Sequence, residues 1–180
     1  MGLDMYWYAK TKRKVVEVVC KEEEYDDNYI SFSQWRAEEG AIDLTSYPEE
    51  LKELGEYIYR TNFKSQWNDK DGRMYYQIGY FRKFNALHKY MCDLDGGRDE
   101  CQDILIKKED LIKLLSILDK VNENHNLADV LLPTQKGFFF GDTEYDQWYF
   151  GDIKDAIEMV EIFLEKFDFE NYDLIYCASW

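Results

Sequence analysis

The stretch LDMYWYA, residues 3–9, shows the pattern from which we infer the fold class of the chain. Its aromatic residues alternate loosely with smaller ones, which is typical of a β-strand. Further along the chain, short runs rich in β-branched or aromatic residues predict more strands: VVEVVC at 15–20, MYYQI at 74–78, DILI at 103–106 and YDLIYCASW at 172–180. The strands are therefore expected to come from both ends and the middle of the chain.

Helical periodicity separates the later strands. Apolar residues three and four apart predict one helix over residues 80–94 and a second over 108–121. A third helix is predicted to begin after Asp152, which has the side chain of an N-cap. Short strands mixed with helices, without a regular βαβ rhythm, predict an α+β fold with a small antiparallel or mixed sheet packed against about three to four helices.

Residues 21–72 form an acidic segment that we interpret as a helical insertion within a single domain spanning 1–180. Inside it, SYPEELKELGEYIYR at 46–60 predicts a helix, because Ser46 and Glu49 have the spacing of a capping box. The 180-residue length and the 46% hydrophobic content suit one domain with a real core.

The net charge of the chain indicates which class of partner it can bind. The chain has 37 acidic against 22 basic residues and a net charge of −15. General nucleic-acid binders and proteins of anionic membranes need the opposite sign, so we expect neither direct nucleic-acid binding nor membrane binding. A basic protein is the natural partner, including the nucleic-acid groove of another protein, and simple solubility is the alternative explanation.

The cysteines and carboxylates give no metal or redox motif. The four cysteines form no C-x-x-C pair, and the chain shows neither a leader nor a membrane-spanning run, so reduced thiols in a cytoplasm are expected. The carboxylates of residues 142, 144 and 146 alternate as in a calcium loop, but Gln147 and Ile153 stand where that loop needs Gly and Glu. Zinc-ligand spacing is missing as well, so neither a metal nor a cofactor is expected, with a looser carboxylate site for a divalent ion as the alternative.

The helix predicted over 80–94 carries a second candidate site. Asn85, His88 and Cys92 can share one face of this helix, with Arg82 on its flank and Lys83 beside it. The row from Arg82 through Asn85 to His88 suits an anion or a proton shuttle. Tyr145 and Asp146 would complete the pocket if the last helix packs nearby. The structural alternative is a core histidine with one hydrogen bond and an arginine paired with a carboxylate. No catalytic motif is recognised.

GFFFGDTEYDQWYFGD, residues 137–152, mixes aromatic rings with carboxylates. At least two of Phe138, Phe139 and Phe140 are expected in the core, because three exposed phenylalanines favour aggregation. The middle of the segment is expected to be an anchored acidic and aromatic rim that meets a partner or closes over a ligand. Its candidate binding residues are Asp142, Glu144, Tyr145, Asp146, Trp148 and Tyr149.

Several motifs resemble a family of small, largely uncharacterised phage and prophage proteins: MGLDMY at 1–6, GYFRKFNALHKYM at 79–91, LLPTQKGFFFGDTEYDQWYFGDI at 131–153 and the terminal SW. The matching positions are Arg82, Lys83, Asn85, His88, 137–141, Thr143, Tyr145, Asp146, Tyr149, Ser179 and Trp180. Residues 20–72 match only vaguely. The resemblance implies a phage context, in which small acidic proteins such as anti-CRISPR proteins occupy basic grooves of host machines.

Charge and resemblance together predict a phage-type acidic interaction protein in the host cytoplasm. It would bind and inhibit a nucleic-acid-handling defence protein such as an RNA-guided nuclease, alone or with its guide RNA. The alternative function is a binding protein or enzyme for a small anion or nucleotide, built around Arg82, Asn85 and His88. The third hypothesis is that the chain is an accessory structural protein.

Overall fold

The structure is a computed structural model that describes residues 2–15, 47–55 and 66–180. Within these ranges, five strands form one antiparallel sheet in the order β2-β3-β1-β5-β4. The strands are β1 (Asp4–Thr11), β2 (Gln66–Asn68), β3 (Met74–Arg82), β4 (Ile104–Ile106) and β5 (Tyr172–Ser179). The first and last strands of the chain are therefore neighbours at the centre of the sheet.

Five helices accompany this sheet in the described residues. They are α1 (Glu49–Gly55), α2 (Asn85–Leu94), α3 (Lys108–Glu123), the single turn α4 (Ala128–Leu131) and α5 (Gln147–Lys166), with a 3-10 turn at His125–Leu127. Together with the sheet they give the α+β fold expected from the sequence. None of these helices has the length and apolar character that a membrane span requires.

The core lies between the sheet and the helices. Trp7 of β1 is fully buried and contacts the rings of Phe163 from α5 and Tyr176 from β5 edge to face, at centroid distances of 5.8 and 5.5 Å. Such aromatic pairs add to the large apolar area that each ring buries. The aromatic character of residues 3–9 thus reflects a strand at the centre of the core.

The strands expected at 3–9, 74–78, 103–106 and 172–180 are present, and the helix expected over 108–121 is α3. The helix expected over 80–94 is wrong in its first turn. Residues 80–82 belong to β3, where Tyr80 and Phe81 pair with β1. Lys83 then turns with a positive φ of 63°, and α2 begins only at Asn85. Pairing with the central strand overrides the helical periodicity of these residues.

The last helix begins six residues earlier than expected. Its N-cap is Asp146, whose Oδ1 accepts hydrogen bonds from the backbone N–H groups of Trp148 and Tyr149 at 2.9 and 3.1 Å. Asp152 lies inside α5, so its expected role as the cap is wrong. The aromatic residues before Asp152 join the helix because Tyr149 reaches the core from its first turn.

Part of the expected insertion lies outside the described residues, as do the strand over 15–20 beyond Val15 and the cap Ser46. The helix expected over 46–60 appears as α1. Leu51 and Leu54 of α1 are fully buried, and the Tyr47 hydroxyl donates a hydrogen bond of 2.9 Å to the carbonyl of Gln77 in β3. This described piece of the segment therefore contributes to the common core.

Candidate functional site

Asn85 fixes the start of α2 to the loop that precedes α5. Its side chain is buried, and its Nδ2 donates to the carbonyls of Phe140 and Asp142 at 3.1 and 2.7 Å. Its Oδ1 accepts from the backbone N–H of Gln135 at 3.0 Å. Because one buried amide satisfies three backbone groups of the loop, Asn85 acts as a positioning residue.

His88 lies one turn further along α2 and is 2% exposed. Its Nδ1 is 2.8 Å from the Tyr176 hydroxyl, and its Nε2 is 3.0 Å from Oδ1 of Asp99. Burial lowers the pKa of His88, while the neighbouring Asp99 acts in the opposite direction. The ring is therefore neutral near pH 7. Since a carboxylate only accepts, Nε2 carries the proton and Nδ1 accepts from Tyr176.

Asp99 is itself held by two other parts of the chain. Its Oδ1 accepts from the indole Nε1 of Trp180 at 3.0 Å, and its Oδ2 accepts from Nε2 of Gln135 at 3.4 Å. Phe140 closes the cluster, with its ring 5.2 Å from His88 and 6.0 Å from Trp180, both contacts being edge to face. We call His88, Asp99, Gln135, Tyr176 and Trp180 the histidine cluster.

Cys92 packs beside this cluster. Its Sγ lies 3.9 and 3.7 Å from Nδ1 and Nε2 of His88, nearly equidistant from the two ring nitrogens. Burial, with the nearby Asp99 as a smaller cause, raises the pKa of the Cys92 thiol to about 12. The thiol is therefore protonated at neutral pH and is not an activated nucleophile.

The row expected from Arg82 through Asn85 to His88 does not form along one helix, because Arg82 is the last residue of β3. Nε of Arg82 lies 3.8 Å from Oδ1 of Asp4, an oxygen that also accepts the Tyr80 hydroxyl at 2.5 Å. Lys83 turns the chain, and its backbone N–H donates to the carbonyl of Leu3 at 2.8 Å. Asn85, His88 and Cys92 all lie on α2 and are buried.

The three phenylalanines are divided by a tight turn. Phe140 is buried, Phe139 is half-buried and Phe138 is 95% exposed, so the expectation that at least two lie in the core is wrong. The backbone N–H of Phe140 bonds the carbonyl of Gly137 at 3.2 Å. A side chain at residue 137 would meet the Phe140 ring at 2.5 Å, which explains why glycine stands there. The turn directs one ring inward and one outward.

Beyond this turn, residues 142–148 form a surface that we call the acidic rim. Asp142, Glu144, Tyr145, Asp146 and Trp148 are all exposed, Trp148 at 74%. Tyr149 differs from the other candidate binding residues because it is buried, and its hydroxyl donates to the Leu132 carbonyl at 2.8 Å. Tyr149 therefore anchors the rim and does not belong to its outer surface.

The acidic rim is held in shape by short-range bonds. Oδ1 of Asp142 accepts the backbone N–H of Glu144 at 2.9 Å, and Asp146 caps α5. In the segment before the turn, the Thr134 hydroxyl donates to the carbonyl of Thr143 at 3.0 Å. The backbone N–H of Thr134 donates to the Tyr145 hydroxyl at 3.3 Å. The rim is thus anchored while its carboxylates and Trp148 face outward.

The sequence interpretation missed three members of the histidine cluster. The sequence around Asp99 indicated only the end of a helix. Gln135 lies in a polar connection and Tyr176 in a predicted strand, and neither position carried a sign of a site. Tyr176 is 88 residues from His88, so no local spacing connects the two. Trp180 entered the sequence interpretation solely through the terminal SW motif.

Comparisons with known proteins add no assignment. No protein-family model, curated protein or solved structure matches the chain. The α+β class hosts many unrelated functions, so it does not point to one by itself. Function is therefore argued from the acidic rim and the histidine cluster.

Proposed function

We propose that the protein is an acidic interaction protein that binds the basic nucleic-acid groove of another protein through the acidic rim. The observation that carries the proposal is the outward display of Asp142, Glu144, Asp146 and Trp148 on an anchored loop. Rigid aromatic side chains provide contact area at low entropic cost, and carboxylates pair with arginine and lysine across an interface.

The charge of the whole chain supports this choice of partner. A net charge of −15 attracts a basic groove at long range and accelerates association. Phe138 lies four residues before Asp142 in the sequence, and its ring is 95% exposed. The exposed side chains of this loop offer negative charge and flat rings, the two features that a nucleic acid presents to its binding groove.

An inhibitor of a host defence protein fits this chemistry, and an RNA-guided nuclease is the partner that we propose to test first. Its channel binds the guide and target strands through basic residues. A protein that fills this channel competes with nucleic acid, and the nuclease then loses activity. The resemblance to phage proteins supports the same choice of partner.

The test measures binding of the full chain to a purified RNA-guided nuclease, with and without its guide RNA, over a series of salt concentrations. We expect binding that weakens steeply with salt, competition by nucleic acid and a parallel loss of cleavage. A basic protein that handles no nucleic acid serves as the control for plain charge attraction. Equal binding to both proteins, or none to the nuclease at low salt, would refute the proposed function.

Variants separate the acidic rim from the general charge. Asp142→Asn with Glu144→Gln removes two charges from the rim and keeps the acceptor that Asp142 needs for its turn. The matched control is Asp119→Asn with Glu123→Gln, which removes two charges from exposed positions on α3. We expect the rim variant to bind more weakly than the control. Equal loss in both would assign the binding to net charge alone.

A further inference from the structure

The groups around Nε2 of His88 include three different metal-ligand types. Among the described residues, His88, Cys92 and Asp99 bring an imidazole nitrogen, a thiol sulfur and a carboxylate oxygen within 4.8 Å of one another. The spacing of four residues between His88 and Cys92 places both on one side of α2, but it gave no sign of Asp99, which is supplied by the loop after α2. Nitrogen, sulfur and oxygen together are the donor set of zinc and cobalt sites.

We propose that His88, Cys92 and Asp99 form a binding site for a divalent zinc ion. Tetrahedral coordination places ligand atoms about 3.3–3.8 Å apart when metal–ligand bonds are about 2.0–2.3 Å long. Nε2 of His88 lies 3.7 Å from Sγ of Cys92, within that range, and 3.0 Å from Oδ1 of Asp99, slightly below it. A zinc ion would replace the hydrogen bond between His88 and Asp99.

Neighbouring side chains hold His88 and Asp99 by hydrogen bonds, as is usual for metal ligands in proteins. A metal-binding histidine is oriented by a hydrogen bond at its other nitrogen, and Tyr176 provides this bond to Nδ1 of His88. The carboxylate of Asp99 is fixed by Trp180 and Gln135. These second contacts hold the imidazole and the carboxylate in place before any ion arrives.

An ion can reach the site from solvent, and the Cys92 side chain can move to bind it. The Asp99 side chain is 23% exposed, whereas His88 is 2% exposed, so an ion enters from the Asp99 side. The Cys92 sulfur now lies beside the ring, nearly equidistant from its nitrogens, and must turn toward Nε2 to bind. On binding, the thiol proton leaves to solvent and the imidazole proton moves to Nδ1, which then donates to the Tyr176 oxygen.

This site differs from the proposed partner surface and is tested separately. The full chain, stripped with a chelator, is titrated with Co²⁺ alone and then with Zn²⁺. We expect one equivalent of Co²⁺ to give a thiolate-to-metal charge-transfer band that Zn²⁺ removes. Cys92→Ser should lose the band, and Cys101→Ser, which changes an exposed cysteine, should keep it.

Trp180→Phe provides a variant that leaves all three ligands in place. It removes the indole N–H that holds Asp99, and we expect an affinity about 10- to 100-fold lower. Near-ultraviolet circular dichroism checks that each variant is folded. The absence of a band at one equivalent, a band that persists in folded Cys92→Ser, or an affinity unchanged in Trp180→Phe would each overturn the site.

Discussion

The loop before α5 has two halves that share one buried anchor and differ in what their own side chains do. Residues 135–140 are fixed from outside, because the buried amide of Asn85 bonds Gln135 and Phe140. Residues 142–148 are also held from outside, by Asn85 at the Asp142 carbonyl and by Thr134 at the Thr143 carbonyl. Here, however, the carboxylates of Asp142 and Asp146 accept N–H groups from their own neighbours, and the side chains face outward. Buried polar groups therefore set the position of the loop, while the exposed ones remain available to a partner.

The largest expected effect comes from the side chain that holds both halves. Asn85→Ala removes three hydrogen bonds from buried or partly buried backbone groups, and we expect it to reduce the free energy of unfolding by about 3 kcal/mol. Urea denaturation measures this change. Asn122→Ala, at an exposed position of α3, is the control and should stay within about 0.5 kcal/mol of wild type. Equal effects would mean that the amide does not hold the loop.

The junction between the two halves gives the next largest effect. Gly141 has a φ of 88°, and an added Cβ would meet the Cβ of Lys83 at 3.0 Å. We expect Gly141→Ala to cost about 2 kcal/mol, because an L-residue is strained in this conformation. Gly151→Ala is the matched variant, since its Cβ has nothing within 4 Å and it lies within α5. It should stabilise the protein by about 0.5–1 kcal/mol. Thermal unfolding of both variants checks the opposite signs.

The next prediction concerns Asp146, the N-cap of α5, which lies in the outer half of the loop, residues 142–148. Asp146→Ala removes the acceptor for two N–H groups, and we expect it to cost about 1 kcal/mol. Asp155→Ala, at an exposed position inside the helix, should change stability by less than about 0.5 kcal/mol. Chemical denaturation compares the two variants. A larger loss for Asp155→Ala would contradict the assignment of the cap.

The smallest expected effect on stability belongs to Trp148. Its ring is 74% exposed, so Trp148→Ala should change the free energy of unfolding by less than about 0.5 kcal/mol. The same variant should weaken binding to the basic partner by more than Ile112→Ala, which truncates a 53% exposed side chain on α3. Calorimetry of unfolding and of binding separates the two effects. A marked loss of stability would place Trp148 in the scaffold.

Prediction from the sequence succeeded where a pattern is local and nothing distant competes with it. Leu111, Leu114 and Leu118 of α3 repeat with helical spacing and are buried on one side, as expected for residues 108–121, and Leu115 is partly buried. It failed at Tyr80 and Phe81, whose spacing fits a helix but whose backbone pairs with β1. It also failed at Asp152, because the local sequence offers several possible caps and the burial of Tyr149 selects Asp146.

The candidate sites divide in the same way. The composition of residues 142–148 was enough to predict an acidic and aromatic surface. The exposure of Phe138 could not be predicted, since it depends on the turn that Gly137 permits against the Phe140 ring.

The sequence by itself determined the α+β class, the presence of strands at both ends of the chain and the excess of negative charge, because alternation, helical periodicity and charge are properties of neighbouring residues. Only the tertiary structure decided that the first and last strands pair at the centre of the sheet. Only it brought His88 to Asp99 and Tyr176, 11 and 88 residues away. The physical reason is that burial forces polar groups to find partners wherever the fold places them.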